Sequence, residues 1–380
     1  MSGAALAEAT EARLHALLER RTDANRRFFE AEAKPLARLC HRMAERFARG
    51  GRLIALAATP AARSDARHVA VEFVHPVIVG KRALPAIAVT AESGPAELVV
   101  APGDIVMAFD GRIAAPPGCL TIAFAPDAGA EWAFVPPGDD AFVRQELVET
   151  AYHVLWELVH VFFEHASRST PVGGEASFLY PFLAEREDDL DAVVEDVRRS
   201  VLMKADEVGA LREQTLGENR DVLLAAAADV RQALDAGGTL LALGNGGSAT
   251  DAMDVVADLR AGGRRALDLT EDTGIITAIA NDIGTEAIFA RQLIALGRAG
   301  DALLALSTSG NSPNVIAALA EARRRGLLTV AMVGYAGGRV AAEGLADHVV
   351  VTRSEHIPRI QEAQASAYHV LCELVEGDDT

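Results

Sequence analysis

The chain has 380 residues, half of them apolar, which is enough for two domains that each bury a core of their own. A formal net charge of −18 argues against nucleic-acid binding through a basic surface, so an anionic ligand would have to be held by local geometry. Scattered cysteines, an amphipathic rather than signal-like start and the absence of any apolar run long enough to span a membrane predict a cytoplasmic protein with reduced thiols and no membrane contact.

The first half of the chain has the pattern of helices followed by short buried strands. A helical pattern over 11–48 ends at Gly50-Gly51. The apolar runs that follow are continuous rather than alternating, as in parallel strands that are covered on both faces. They lie at 53–57, 85–89, 104–109 and 119–125. A helix from 142 to about 165 completes this half.

The second half repeats the plan after a predicted linker at 166–186, which is rich in Ser, Pro and Gly. Helical patterns cover roughly 187–235 and end at Gly237-Gly238. Five apolar runs follow, at 239–243, 265–269, 301–306, 328–333 and 347–351. Strands that alternate with helices predict an α/β fold with a parallel sheet, here twice in tandem, in domains at 1–165 and 187–380.

A repeated sequence supports the duplication. AYHVLWELV at 151–159 and AYHVLCELV at 367–375 are identical at eight of nine positions. Upstream of each copy the same order recurs, with a helical stretch, Gly-Gly, an apolar run, a loop and a helix. The chain therefore contains one structural unit twice.

Two loops of the second copy suit a phosphate. GNGGSAT at 244–250 leads from a strand into a helix, so its glycines allow backbone N–H groups to approach an anion near Ser248, although a tight structural turn would look the same. STSGNS at 307–312 offers the hydroxyl groups of Ser307, Thr308, Ser309 and Ser312, for which simple N-capping by Ser312 is the alternative. The absence of G-K-[ST] argues against a nucleotide P-loop, and we expect no nucleotide cofactor.

Four ordered motifs resemble the SIS (sugar isomerase) domain, in particular its phosphoheptose isomerase branch. They are GNGGSATDA, TAIANDIG (277–284), ALSTSGNSPNVI (305–316) and RIQEAQASAYHVLCELVE (359–376). The resemblance is strong over 187–380, while 11–165 resembles the family as a diverged copy without phosphate loops. It implies three-layer αβα domains with five-stranded, mainly parallel sheets, a zinc-assisted isomerase and an assembly of four such domains. By resemblance alone, Asn245 and Asp282 are expected to contact sugar hydroxyl groups.

The resemblance also implies a set of four metal-binding and acid–base positions, a His and a Glu on one helix and a Gln and a His on the last helix. Among these, the Glu and the last His also serve as base and acid. In the second copy the first two positions have changed, and the set reads Asp254, Asp258, Gln361 and His369. In the first copy the set is intact and reads His68, Glu72, Gln145 and His153.

The two copies have thus lost different parts of one site. In the first copy AATPAARS stands for the glycine loop, and Asp110-Gly111 stands where Ser307-Thr308 would be, so an anion would be repelled. We therefore expect one composite site, with phosphate held by the second copy and with Glu72 and His153 as catalytic residues. Asp258 and His369 are the fallback catalytic pair, and Zn²⁺ or another divalent ion is the expected metal.

The leading interpretation is an aldose–ketose isomerase of a sugar phosphate. The expected reaction converts sedoheptulose 7-phosphate to D-glycero-D-manno-heptose 7-phosphate through an enediolate. One alternative is a non-catalytic SIS scaffold, because TAIANDIG and GY-x-GG also resemble a replication-initiator-associating relative. Another is a protein that binds the sugar phosphate without isomerising it. The tandem copies predict a homodimer that forms a pseudo-tetramer of SIS units.

Overall fold

The computed structural model describes residues 3–77, 81–93, 95–167 and 190–377, and its contacts divide the chain into two compact units. The first unit comprises Asp23–Glu207, and the second comprises Met1–Thr22 together with Val208–Thr380. The boundaries predicted for the sequence repeat, 1–165 and 187–380, stay a prediction. The predicted linker lies almost wholly outside the described residues.

The first unit is built on a five-stranded parallel sheet with strand order β2-β1-β3-β4-β5. Helix α1 begins before this unit and enters it at Asp23. The elements are α1 (Gly3–Ala48), β1 (Leu53–Ala57), α2 (Pro60–Val74), β2 (Ala86–Thr90), β3 (Ile105–Ala108), β4 (Leu120–Ala123), β5 (Trp132–Ala133) and α3 (Ala141–Ser167).

The second unit has the same sheet, with strand order β10-β9-β8-β6-β7 and all strands parallel. Helix α4 (Leu190–Glu218) crosses from the first unit into the second. The further elements are α5 (Arg220–Asp235), β6 (Leu240–Leu243), α6 (Gly247–Ala261), β7 (Ala266–Asp268), α7 (Thr273–Asp282), α8 (Ile288–Leu296), β8 (Ala302–Ser307), α9 (Pro313–Arg325), β9 (Leu328–Gly334), α10 (Gly338–Ala342), β10 (His348–Thr352) and α11 (Ile357–Glu376).

The prediction of two α/β units with five-stranded parallel sheets is confirmed. The apolar runs predicted as strands match the observed strands to within one or two residues. Two details differ. The helical pattern at 11–48 is one continuous helix, and β5 has only two residues, too few to leave an apolar run in the sequence.

A buried carboxylate holds the same turn in both units. In the first unit Asp104 accepts the N–H groups of Arg52 and Ala101, each at 2.9 Å. In the second unit Asp301 accepts the N–H groups of Thr239 and Arg298, each at 2.8 Å. Asp104 and Asp301 are therefore equivalent positions of the two copies. Asp110 and Ser307 each lie six residues further along the equivalent strands, so they too correspond.

Each unit packs helices on its sheet around its own apolar core. In the first unit the core includes the fully buried Trp156 of α3 and Phe73 of α2, and in the second it includes Leu303 of β8 and Val315 of α9. None of the described helices combines the length and the apolar character needed to cross a membrane.

Candidate functional site

The strand order of the second unit creates a crevice at the carboxyl ends of β6 and β8. These strands are neighbours, but the chain visits β7 on the other side of β6 before it returns to form β8. Such a reversal leaves a gap where the two following loops diverge, which is where open α/β sheets bind ligands. Both loops with the predicted phosphate-binding motifs leave the sheet at this gap.

The first loop, Gly244 to Gly247, requires glycine on steric grounds. A Cβ on Gly244 would lie 2.2 Å from the carbonyl oxygen of Ser248, and Gly246 has a positive φ of 59°. Ser248 is buried in the first turn of α6, whereas Asn245 is exposed at the loop tip. The loop therefore brings the backbone close to the start of the helix. This geometry agrees both with an anion-binding loop and with a tight structural turn, the two interpretations that the sequence left open.

The second loop directs its hydroxyl groups inward. Ser307 Oγ accepts the N–H of Gly310 at 3.2 Å and lies 3.4 Å from Ser312 Oγ. Ser312 is the residue before α9, yet its side chain makes no capping hydrogen bond. Simple N-capping by Ser312 is therefore not its role in this loop. Thr308 and Ser309 are half-buried, and Ser309 Oγ accepts the N–H of Asn311 at 3.2 Å.

An asparagine pair joins the two loops. The sequence analysis assigned a role to Asn245 and none to Asn314. Asn245 of the first loop and Asn314 in the first turn of α9 each donate an amide hydrogen to the other, at 3.0 and 2.9 Å. The pair lies at the mouth of the crevice, with Asn245 exposed and Asn314 half-buried. The signal for Asn314 was its place within the SGNSPN motif.

The glycines of GYAGG have a structural role that the sequence did not reveal. They let the turn after β9 pack directly against the second loop. A Cβ on Gly334 would lie 2.4 Å from the carbonyl oxygen of Thr308, and one on Gly338 would lie 2.4 Å from that of Ser309. Between them, Tyr335 adopts a left-handed conformation with φ 52°. This turn supports the serine loop from behind.

Asp282, expected to contact a sugar hydroxyl group, lies at the exposed carboxyl end of α7. Its carboxylate accepts a hydrogen bond from the amide of Asn281 at 2.7 Å. Within the described part of the chain, no hydrogen bond ties Asp282 to either loop. Its expected contact with a sugar hydroxyl group stays a prediction.

The second unit brings three of its predicted site residues into one cluster. His369 Nε2 of α11 lies 3.2 Å from Asp254 Oδ2 and 3.6 Å from Asp258 Oδ2, both of α6. Tyr368, which sequence reasoning missed, donates its hydroxyl hydrogen to Asp254 Oδ2 at 3.0 Å. Gln361 is buried two turns earlier on α11, and its role stays a prediction.

The carboxyl group of Asp258 titrates abnormally. Burial raises its pKa well above the usual carboxyl range, the nearby charge of Asp254 raises it further, and His369 opposes the rise. Two carboxylates this close disfavour double ionisation, so the cluster holds a proton more strongly than an exposed aspartate would. The set of two carboxylates and one imidazole has ligand atoms within 4.8 Å of one another.

The first unit brings together His68, Glu72 and His153, three of the four positions that the resemblance implied. The two imidazole Nε2 atoms lie 3.3 Å apart, and His68 Nε2 lies 3.9 Å from Glu72 Oε1. All three side chains are buried at 2 % exposure or less. Tyr152 borders both imidazole rings, at centroid distances of 5.5 and 5.1 Å, and it is the tyrosine of the repeated AYHV motif.

The donor set of the first unit fits a zinc ion. Burial lowers the pKa of His68 well below its usual value, and the neighbouring His153 lowers it further, so His68 is neutral and can offer a lone pair. Two ligands at ~2.0–2.1 Å from a tetrahedral metal lie about 3.3 Å apart, which matches the separation of the imidazole nitrogens. Gln145 is half-buried on α3 two turns before His153, and its place as a fourth ligand stays a prediction.

The crevice of the first unit is closed by its own carboxylate. Asp110, which follows β3, accepts the N–H of Ala58 at Oδ1 and that of Thr59 at Oδ2, both at 2.7 Å. These N–H groups precede helix α2 and lie across the gap between β1 and β3, so an anion already occupies the position where a phosphate would bind. That Asp110 would repel a phosphate stays a prediction, and the structure adds that its carboxylate already accepts both N–H groups.

Comparison with known proteins shows which proteins share this fold and the segment that contains both loops. Residues 205–334 match the model of the SIS domain family. A phosphoheptose isomerase of Nitratidesulfovibrio vulgaris is 39 % identical over 190 residues, which cover 48 % of this chain and 90 % of that protein. One of Desulfovibrio desulfuricans is 44 % identical over 172 residues, 44 % of this chain and 81 % of that protein.

Solved structures extend the likeness of fold to nearly the whole chain. The C-terminal domain of glucosamine-fructose-6-phosphate aminotransferase from Francisella tularensis covers 96 % of this chain and 95 % of its own, with TM-score 0.59 and 12 % identity. Tagatose-6-phosphate ketose/aldose isomerase from Escherichia coli covers 97 % and 93 %, with TM-score 0.54 and 14 % identity. Both units therefore lie within the region of shared fold.

These matches define the class as proteins with the SIS fold. Within that class, the chain belongs to the phosphoheptose isomerase family.

Replacing the carboxylate that closes the first crevice should destabilise the protein. Asp110→Ala removes the acceptor of the solvent-exposed N–H groups of Ala58 and Thr59, which should lower the free energy of unfolding by about 0.5–1.5 kcal/mol. Asp139→Ala removes an exposed carboxylate of the same unit and should change it by less than about 0.5 kcal/mol. Urea denaturation measures both; equal effects would show that the Asp110 contacts do not matter.

The raised pKa of Asp258 predicts a pH dependence of stability. An unfolded aspartate loses its proton near pH ~4, whereas the folded chain keeps it to higher pH, so this group's stabilising contribution is complete below pH ~4 and is lost as pH rises through the folded-state pKa. Chelator-treated wild type should therefore lose stability over this range relative to Asp258→Asn. Thermal unfolding at a series of pH values measures this loss of stability, with Asp139→Asn as the control. Parallel curves of stability against pH for wild type and Asp258→Asn would contradict the prediction.

Proposed function

We propose that this protein is an aldose–ketose isomerase of a sugar phosphate, most specifically of sedoheptulose 7-phosphate. The observation that carries the proposal is the crevice of the second unit, where two loops rich in hydroxyl and N–H groups meet and are joined by Asn245 and Asn314. The relatives that match bear the name phosphoheptose isomerase, which supports a heptose phosphate as substrate.

The serine loop would anchor the phosphate. Ser307, Ser309 and Ser312 present hydroxyl groups around the loop, and the helix that follows presents its amino end. In a chain with a net charge of −18, neutral donors and a helix dipole hold an anion without a cationic side chain. Thr308 and Ser248 complete the proposed set of phosphate ligands.

The first unit would supply the acid–base chemistry. The proton that moves between neighbouring carbons requires a base, for which Glu72 is proposed, and His153 would transfer a proton to or from the sugar oxygen. His68, Glu72, Gln145 and His153 would hold a zinc ion, which when bound would stabilise negative charge on the enediolate oxygen. This division of labour between the copies derives from their sequences, because each copy retains what the other has lost.

A second candidate is a protein that binds the sugar phosphate without isomerising it. The burial of His68, Glu72 and His153 favours it, since a base at 1 % exposure needs some opening to reach a substrate. Asp258, with 14 % of its side chain exposed, is the more accessible carboxylate of the fallback pair that it forms with His369. Both candidates include a homodimer, the assembly expected from the tandem copies.

Turnover of sedoheptulose 7-phosphate tests the proposal. Purified protein supplied with zinc should produce an aldoheptose 7-phosphate, followed by NMR. Protection of the protein against heat by the substrate without any conversion would establish the second candidate. Neither conversion nor protection would contradict both.

Paired substitutions then identify the catalytic carboxylate. Glu72→Gln should reduce turnover by at least ~100-fold because it removes the base while it keeps the shape, whereas Asp258→Asn should retain activity. Bound zinc, measured by elemental analysis, should fall in His68→Ala and stay unchanged in Asp254→Asn. The reverse pattern in both measurements would assign the site to the second unit's own cluster.

A further inference from the structure

A second cavity lies in the second unit at the edge of the sheet away from the serine loop. Its volume is about 540 Å³, and it opens at the amino ends of β6, β7 and β8. Small-molecule sites commonly measure about 300–1,000 Å³, so the cavity is large enough for a metabolite. Because the strands are parallel, it shares no residue with the crevice at their carboxyl ends.

Two arginines on the lining have no acidic partner. Within the described residues, the side chain of Arg298 has no hydrogen bond or ion pair, and that of Arg265 contacts only the carbonyl oxygen of Gly237, at 3.3 Å. The adjacent Arg264, by contrast, pairs with Asp235. In so acidic a chain, two guanidinium groups left without a carboxylate beside one cavity form a local site for an anion.

The lining aspartate does not neutralise them. Asp301 uses both carboxylate oxygens to accept the N–H groups of Thr239 and Arg298, each at 2.8 Å, and so holds the turn rather than a guanidinium group. The rest of the lining includes small residues and the half-buried Leu267, with Leu241 of the core behind them. Leu296, another lining residue, is 45 % exposed, so a ligand with an apolar part would cover it.

In the equivalent turn of the first unit, the aspartate is paired with an arginine. There Arg52 occupies the position of Thr239, and its guanidinium group donates to Asp104 at 2.7 Å and to the carbonyl oxygen of Val99 at 2.8 Å. That carboxylate is therefore paired within the chain. In the second unit a threonine replaces the arginine, and the corresponding aspartate has no guanidinium partner among the contacts described.

We propose that this cavity binds a phosphate-bearing small molecule with an apolar body, at a site separate from the serine loop. Guanidinium groups bind phosphate through paired hydrogen bonds, and the leucines would receive the apolar part. The proposal does not depend on the isomerase activity.

Phenyl phosphate, which combines a phosphate with an apolar ring, is the probe. Calorimetric titration of the full-length protein should detect its binding, with weaker binding of inorganic phosphate and of benzoate. The double substitution Arg265→Ala with Arg298→Ala should weaken phenyl phosphate at least 10-fold. Arg291→Ala, which removes an exposed arginine outside the cavity, should leave its affinity unchanged.

Other outcomes would overturn the proposal. Loss of phenyl phosphate binding in Ser309→Ala but not in the double variant would assign all anion binding to the serine loop. Tighter binding of benzoate than of phenyl phosphate would replace phosphate by carboxylate as the ligand class. If circular dichroism shows that the double variant is unfolded, Arg298→Lys keeps the charge but not the paired donors, and it should weaken binding by ~3-fold or more; unchanged affinity would count against the site.

Discussion

The pairing of two parallel strands at the point where the strand order reverses is the constraint on which the site depends. In each unit the first and third strands are neighbours, so the loops that follow them leave the sheet side by side. The two units differ at this place. Serines and glycines line the crevice of the second unit, while in the first a single aspartate accepts the N–H groups of the loop after β1.

The same comparison explains how a duplicated unit can diverge without losing its fold. The carboxylates of Asp104 and Asp301 hold equivalent turns at the amino ends of the strands, far from the ligand crevice. Of the four helix positions compared between the copies, two differ, with His68 and Glu72 in one unit and Asp254 and Asp258 in the other. The glutamine and the histidine of the last helix are the same in both units.

The sequence predicted much of this because its signals are local. Buried strands leave continuous apolar runs, so the strands followed from the sequence pattern. A His four residues before a Glu places both on one helix face, but the grouping of His68 and Glu72 with His153 was implied by the family resemblance. The roles of Asp110, Asn314 and the GYAGG turn could not be predicted, since each depends on which loops the sheet brings together. Asp282 was assigned by resemblance alone, and its role stays a prediction.

Residues 1–22 belong to the second unit although they precede the first in the chain. Arg21, almost fully buried, forms an ion pair with Glu373 at 2.9 Å across 352 positions of sequence. On a ribosome that adds ~5–20 residues per second, this helix segment would wait roughly 20–70 s for its partner. The first unit can bury its core during that interval, whereas the second can close only when synthesis has passed Glu373. Assembly of this chain during translation is therefore ordered, and the unit with the serine loop completes its fold last.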